Sequence, residues 1–318
     1  LSTQPEKSKI VEVSAAVLQK PDGSFLLAQR PADKIWAGYW EFPGGKVEAG
    51  ETAHHALVRE LQEELGIEVQ TAYPWLTRVF TYPHATVRLR FFRVTEWTGE
   101  LHPHEGQQFS WQHPGEVCVA PILPANAPIL RALELPALYA ISNAAELGVD
   151  AFLDSLQAKL DAGLRLVQLR EKKLLREELR ALAIRVVAQA HARGAKVLLN
   201  GDAELAQEVG ADGVQLTSTQ LAELTERPSV DWCAASCHNE EELRRAEALG
   251  CDFALLSPVL PTQSHPGAPH LGWDHFAAIA AGASIPVYAL GGLTHADMHA
   301  AWSRGAHGIA LLRQAWVS

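Results

Sequence analysis

Apolar and polar positions follow two rhythms along this chain, and the change falls near residue 135. In the first part, "IVEVSAAVLQK" (10–20) reads as a strand, and a "PDG" turn leads from it into "SFLLAQR" (24–30), which predicts a hairpin. A helix is expected from about Thr52 to Leu65, closed by Gly66 as a helix-ending glycine. "TRVFTYPH" and "ATVRLRFFRVTEW" follow, the second alternating Val, Leu and Phe with Arg, which predicts an antiparallel pair. "PILPANAPILRAL" supplies a loop and a short closing helix. Strands with few helices and no βα alternation indicate an α+β layout.

From Tyr139 the rhythm changes. Short apolar strands ("YAIS", "LRLVQLR", "KVLLN", "GVQL", "DWCAAS", "DFALLS", "IPVYAL", "HGIALL") alternate with amphipathic stretches such as "LREELRALAIRVVAQAHARG". Eight regularly spaced units predict a compact α/β (β/α)8 TIM barrel; a doubly wound sheet is the rival, and the even spacing favours the barrel. Pro136 interrupts the chain between the two rhythms, so the expected domains are 1–134 and 139–318.

Composition narrows the function classes. The chain has 318 residues and a net charge of −10, which argues against a nucleic-acid polymer as partner but allows a small anionic substrate accompanied by metal. No run of about 18 apolar residues occurs, so no membrane span is expected, and "LSTQPEKSKI" lacks the apolar core of a signal peptide. Four cysteines without CxxC pairing suggest a reducing, cytoplasmic setting; Cys233 and Cys237 bracket a strand-like "CAAS", a poor zinc site.

Candidate chemistry concentrates in "GGKVEAGETAHHALVRELQEELGI" (44–67), where Glu60, Glu63 and Glu64 crowd together with Glu51 and Arg59 nearby. Like charges at that spacing repel, so a positive group should sit among them. On a helix the three positions lie within about 100° of arc. Gly44 and Gly45 permit a tight turn and offer a carbonyl oxygen. Hard oxygen ligands of this kind suit Mg²⁺, with Mn²⁺ as the alternative.

Gly45, Glu51, Arg59, Glu60, Glu63, Glu64 and Gly66, with Leu61 and Ile67 in the apolar places, match the Nudix signature. Together with "LLAQRPAD", "WEFPGGK", "HEGQ" and "LPANAPIL", residues 10 to 132 resemble the MutT type of Nudix hydrolase, an α+β fold with a mixed sheet and helices. The resemblance implies hydrolysis of oxidised purine nucleoside triphosphates, chiefly 8-oxo-dGTP, to the monophosphate and pyrophosphate. It implies metal on the Gly45 carbonyl and on Glu60, Glu63 and Glu64. Glu105 would assist with metal or water, and Glu60 with deprotonating the water. Arg30 and Lys46 would neutralise phosphate, and Asn126 would read the purine edge. Arg59 is expected to fasten the helix to the loop at Glu51.

In the barrel, Gln168, Arg170, Lys172, Asn200, Ser236, His238, Gly291 and Gly292 fall at strand ends, where this fold collects its ligand-binding groups. "VQLREK", "GADGVQL", "PVLPT" and "ALGG" resemble the thiamine-phosphate synthase and thiazole tautomerase (TenI) superfamily. The synthases place a magnesium Asp where this chain has Gly201, a second where it has Gln220, and a phosphate-binding Lys where it has His265. The resemblance therefore points away from synthase activity. The tautomerase branch shares the "NG" and "VQL" pattern and uses a His at the position of His238 for proton transfer on a thiazole phosphate. Three functions stay open: 8-oxo-dGTP diphosphatase, cleavage of thiamine-pathway pyrophosphates, and a barrel acting only as a binding or dimerisation module.

Overall fold

Strand β1 (Val11–Leu18) is buried from Ser14 onward because both of its faces are covered. With a side-chain period of two, Ala15 and Val17 join one apolar cluster while Ala16 and Leu18 join another. The computed structural model describes residues 10–104, 106–263, 267 and 269–317. Contacts divide the chain into two units, one ending at Glu134 and the other beginning at Leu135.

In the first unit β1 is followed by β2 (Phe25–Gln29), β3 (Trp40–Glu41), β4 (Gly44–Lys46), helix α1 (Ala53–Leu65), β5 (Glu68–Tyr82), β6 (Ala85–Thr98), β7 (Phe109–Gln112) and helix α2 (Ala127–Leu133). One sheet has the order β4-β1-β6-β5 and mixes parallel β1·β6 with antiparallel β1·β4 and β5·β6; a second has the order β3-β2-β7. The expected β5–β6 pair is present and starts earlier than the sequence pattern suggested. The expected β1–β2 hairpin is corrected: the turn forms, with the Lys20 N–H donating to Ser24 O at 2.9 Å, but only the Gln19–Phe25 bridge pairs the two segments. Beyond it the strands part into different sheets. β1 takes a central place beside β6, which covers two apolar faces instead of one.

The second unit closes eight parallel strands into a barrel: β8 (Leu138–Ile141), β9 (Leu166–Leu169), β10 (Lys196–Asn200), β11 (Gly213–Leu216), β12 (Trp232–Cys237), β13 (Phe253–Leu256), β14 (Val287–Leu290) and β15 (Gly308–Leu311). Each corresponds to one of the eight apolar stretches. Alternation again decides the layers. Tyr139, Leu166, Leu198, Trp232, Phe253 and Tyr288 fill the interior, while Ala140, Val167, Val197 and Cys233 face the surrounding helices. Gln168 and Gln215 are buried, and the Tyr139 hydroxyl lies 3.3 Å from both of their amides, so these polar groups are satisfied within the barrel. No helix among the described residues is long and apolar enough to cross a membrane.

Candidate active site and barrel pocket

Helix α1 starts at Thr52, whose side chain accepts from the His55 N–H at 3.2 Å, and ends at Gly66, whose φ of 70° suits a glycine cap. Leu57, Leu61 and Leu65 anchor it in the core. That anchoring turns Arg59, Glu60 and Glu64 toward β4 and the loop before the helix. The Gly44 N–H donates to Glu64 Oε2 at 3.3 Å. The Glu60 carboxylate lies over Gly45 so closely that a Cβ there would fall 2.1 Å from its carboxyl carbon. Any other residue at position 45 would displace that carboxylate.

Arg59 holds the group together. Its Nη2 donates to Glu51 Oε1 at 2.7 Å and to the Lys46 carbonyl at 3.0 Å, fastening helix to loop as expected. Its Nη1 donates to Glu60 at 2.9 Å and to Glu63 at 3.2 Å. Hydrogen bonds from Arg59 and from the Glu48 N–H keep the Glu51 carboxyl below its ordinary pKa. Burial pushes Glu60 the other way, with Glu63 and Glu51 adding to the rise and Arg59 opposing it. Glu63 is exposed and held at the edge by Arg59, an exposed i,i+4 pair of the kind that contributes about 0.3–0.5 kcal/mol. Among the described residues no three His, Cys, Asp or Glu side chains are gathered closely enough to enclose a metal ion. Glu60 and Glu64 lie against the glycine strand, and Glu63 shares the Arg59 Nη1 with Glu60; Glu105 lies outside the described residues.

Of the remaining candidates, Lys46 follows Gly45 on β4, while Arg30 and Asn126 lie in other segments of this unit. Arg30 donates from Nη1 to Glu41 at 2.5 Å and from Nε to the Ile35 carbonyl at 2.8 Å, so its charge is already engaged; Lys46 is exposed. Asn126 is 3% exposed and ends a short 3-10 turn (Pro124–Asn126). The neighbouring Ala125 N–H bonds the Tyr82 hydroxyl, whose pKa burial raises. Tyr82 lies 5.9 Å from Trp36 and 5.6 Å from His84 by ring centroids, and Trp36 stands edge-on to Tyr39 at 5.0 Å. Sequence reasoning passed over Trp36, Tyr39 and Glu41. The aromatic-rich "IWAGYWEF" was the available signal, but nothing in it announced contact with Tyr82, some forty residues on.

At the barrel's strand ends, Arg170 is half-buried and its pKa is lowered chiefly by that burial; Arg170 in turn lowers that of exposed Lys172. Buried Glu171 faces the other way, accepting from Ser142 Oγ at 2.7 Å and from the Ala144 and Ala145 N–H groups at 2.8 and 3.0 Å. Asn200 ends β10, and Ser236 Oγ accepts from Gln215 at 3.2 Å. His238 Nδ1 lies 2.9 Å from Glu242 Oε2, which fixes the ring. Gly291 and Gly292 (φ 108° and 70°) allow the 258–261 turn to approach, since a Cβ on Gly292 would meet Pro261 O at 2.5 Å. His265 lies outside the described residues.

Residues 14–132 match the family model of the NUDIX domain, and residues 138–315 match that of thiamine monophosphate synthase. The chain joins a Nudix hydrolase to a member of the thiamine monophosphate synthase family. The Escherichia coli protein named CTP pyrophosphohydrolase is 43% identical over 124 residues, which are 39% of this chain and 91% of that protein. The Haemophilus influenzae 8-oxo-dGTP diphosphatase is 38% identical over 125 residues, 39% of this chain and 92% of its own length. An Aquifex aeolicus protein named putative thiamine-phosphate synthase 2 is 38% identical over 180 residues, 56% of this chain and 96% of that one.

For the Nudix unit the chemistry of the donors, hard carboxylate oxygens beside a backbone carbonyl, suits a divalent cation although the side chains are drawn onto Arg59. Three carboxylates share the single Arg59 guanidinium, Glu64 stands beside them, and Gly45 leaves room for Glu60 where a Cβ would not. For the barrel it does not. Gly201 and Gln220, where the resemblance to the synthases would lead us to expect magnesium carboxylates, bond to each other: Gln220 Nε2 donates to the Gly201 carbonyl at 2.8 Å. The Gln220 oxygen meanwhile accepts from the Thr217 N–H at 3.1 Å, completing a capping box. That amide is satisfied at both ends and offers no anionic oxygen.

Proposed function

We propose that the Nudix unit is a Mg²⁺-dependent, or Mn²⁺-dependent, nucleoside triphosphate pyrophosphohydrolase, with 8-oxo-dGTP as its preferred substrate. The carboxylate group around Arg59, set against Gly44 and Gly45, carries this reading. Gly45, Glu60, Glu63 and Glu64 would hold the metal, which supplies charge neutralisation at the phosphate oxygens and lowers the pKa of a bound water. Glu60, which would touch both the metal and the attacking water, would take the water's proton. The water oxygen bonds to phosphorus, the bridge between the α- and β-phosphates breaks, and nucleoside monophosphate and pyrophosphate leave. Arg59 keeps Glu60 and Glu51 in register. Lys46, exposed on the same strand, meets phosphate more readily than Arg30, which Glu41 already engages. Asn126, buried beside the Tyr82 contact, reads the base with an amide that both donates and accepts. Such an enzyme would clear oxidised nucleotides in the cytoplasm before their incorporation into DNA.

The fused barrel favours a second reading, in which the Nudix unit cleaves pyrophosphates of thiamine metabolism. Pyrophosphate release with Mg²⁺, compared as kcat/KM for 8-oxo-dGTP, dGTP, CTP and thiamine-type pyrophosphates, separates the two. A preference for 8-oxo-dGTP supports the first reading, and a preference for a thiamine-type substrate replaces it. For the barrel we infer an anion pocket at Arg170 and Lys172, with Gln168, Asn200, Ser236 and the Gly291–Gly292 turn around it and His238 poised for proton transfer by Glu242. Synthase chemistry is unsupported, because Gly201 and Gln220 supply no carboxylate. Binding of a thiazole phosphate to the full chain, followed by calorimetry, supports a tautomerase-like site; no binding favours a scaffold.

A further inference from the structure

Trp36 carries two unfavourable features at once. Its φ of 64° lies in the left-handed region, where a bulky side chain is strained, and no other non-glycine residue among those described adopts such a value. Its indole nitrogen Nε1 is buried and has no acceptor. Folded proteins satisfy nearly all buried donors, so an orphan of this kind calls for an explanation. The strained loop is held from both sides: Arg30 Nε bonds the Ile35 carbonyl at 2.8 Å, the Gly38 N–H bonds the Arg30 carbonyl at 3.0 Å, and the Tyr39 N–H bonds the Trp36 carbonyl at 3.1 Å. The conformation is therefore imposed by its neighbours.

Those neighbours are flat rings, one of which is tied to the residue before Asn126. Trp36 touches Tyr39 and Tyr82, and the Tyr82 hydroxyl is fixed by the Ala125 N–H next to Asn126. An indole N–H only donates. Resting on the nucleotide reading of this unit, we propose that Trp36 Nε1 donates a hydrogen bond to a carbonyl oxygen of the substrate's nucleobase. It thereby selects bases with a keto group at that edge over bases with an amino group there. An amino group would oppose donor to donor and leave both buried groups unsatisfied, which is how polar sites reject near-isosteric substrates.

The test uses the full chain labelled with ¹⁵N at its tryptophan indoles, with W36F identifying the Trp36 signal among the nine. Titration with dGMP should move that indole N–H resonance, while dAMP and deoxyribose 5-phosphate should move it much less. An unmoved signal with dGMP, or an equal shift with the baseless sugar phosphate, overturns the proposal. In hydrolysis, Trp36→Phe should lower the ratio of kcat/KM for dGTP over dATP about tenfold, and an unchanged ratio overturns the selection. The signal shift reports on wild type, so it decides even if the variant folds poorly. A shift with dGMP but no metal-dependent hydrolysis upholds Trp36 and removes the hydrolase reading. Hydrolysis of dGTP with an unmoved signal does the reverse.

Discussion

Glu60 over Gly45 in the Nudix unit and Gln220 beside Gly201 in the barrel are the same local device, a polar side chain laid against a glycine. They differ in what remains unsatisfied. The Glu60 carboxyl is pushed toward its neutral form by burial and by like-charged neighbours, with only Arg59 opposing. Gln220 is neutral, and its amide has partners on both its nitrogen and its oxygen. Crowded carboxylates held in place by the core are the arrangement our metal-site proposal rests on, whereas a satisfied amide serves as a joint.

The sharpest way to break this contrast is Glu64→Gln. It should reduce metal-dependent kcat/KM by about 10²–10³-fold, with Tm little changed; retained activity would refute the site. Asn126→Ala should narrow the preference for 8-oxo-dGTP over dGTP about tenfold, and a constant ratio would take Asn126 out of base reading. In the barrel the expected effect is one of stability. Gln220→Ala removes half of a capping box and the Gly201 tie and should cost about 1 kcal/mol in denaturant unfolding. A loss of ligand binding with unchanged stability would show that Gln220 does chemistry after all.

The smallest effect concerns pH. Hydrogen bonds, chiefly from Arg59, hold the folded Glu51 pKa below the ordinary carboxylate range, so its contribution is present above that range and fades as pH falls through the lower folded pKa. Comparing Tm against pH for wild type and Glu51→Gln should show the two converging only on the acid side. Convergence near neutrality would mean that Arg59 does not fasten the loop through Glu51.

Much of this was legible in the sequence because the governing interactions are local. The 44–67 segment contains its own turn, cap, helix and charges, so its pattern led to the helix and the Gly66 cap, and the Nudix resemblance added the Arg59–Glu51 tie. All eight barrel strands were legible for a related reason: a strand covered by helices outside and packed inside must be apolar on both faces, and it reads as a short apolar run. The β1–β2 hairpin was misread because a turn specifies only the residues nearest to it. Which sheet each strand then joins depends on apolar faces contributed by β6, α1 and α2.

The chain's own pattern therefore determined the two-part architecture and the carboxylate helix. Tertiary structure alone decided that Glu63 shares Arg59 with Glu60, that Arg30 is engaged by Glu41, and that Gln220 closes on Gly201. It also brought Trp36, Tyr82 and Asn126 into one neighbourhood from three separate segments. The physical reason is reach: capping, periodicity and like-charge crowding act within a few residues, whereas ion pairing and ring packing depend on distances that only the folded chain sets.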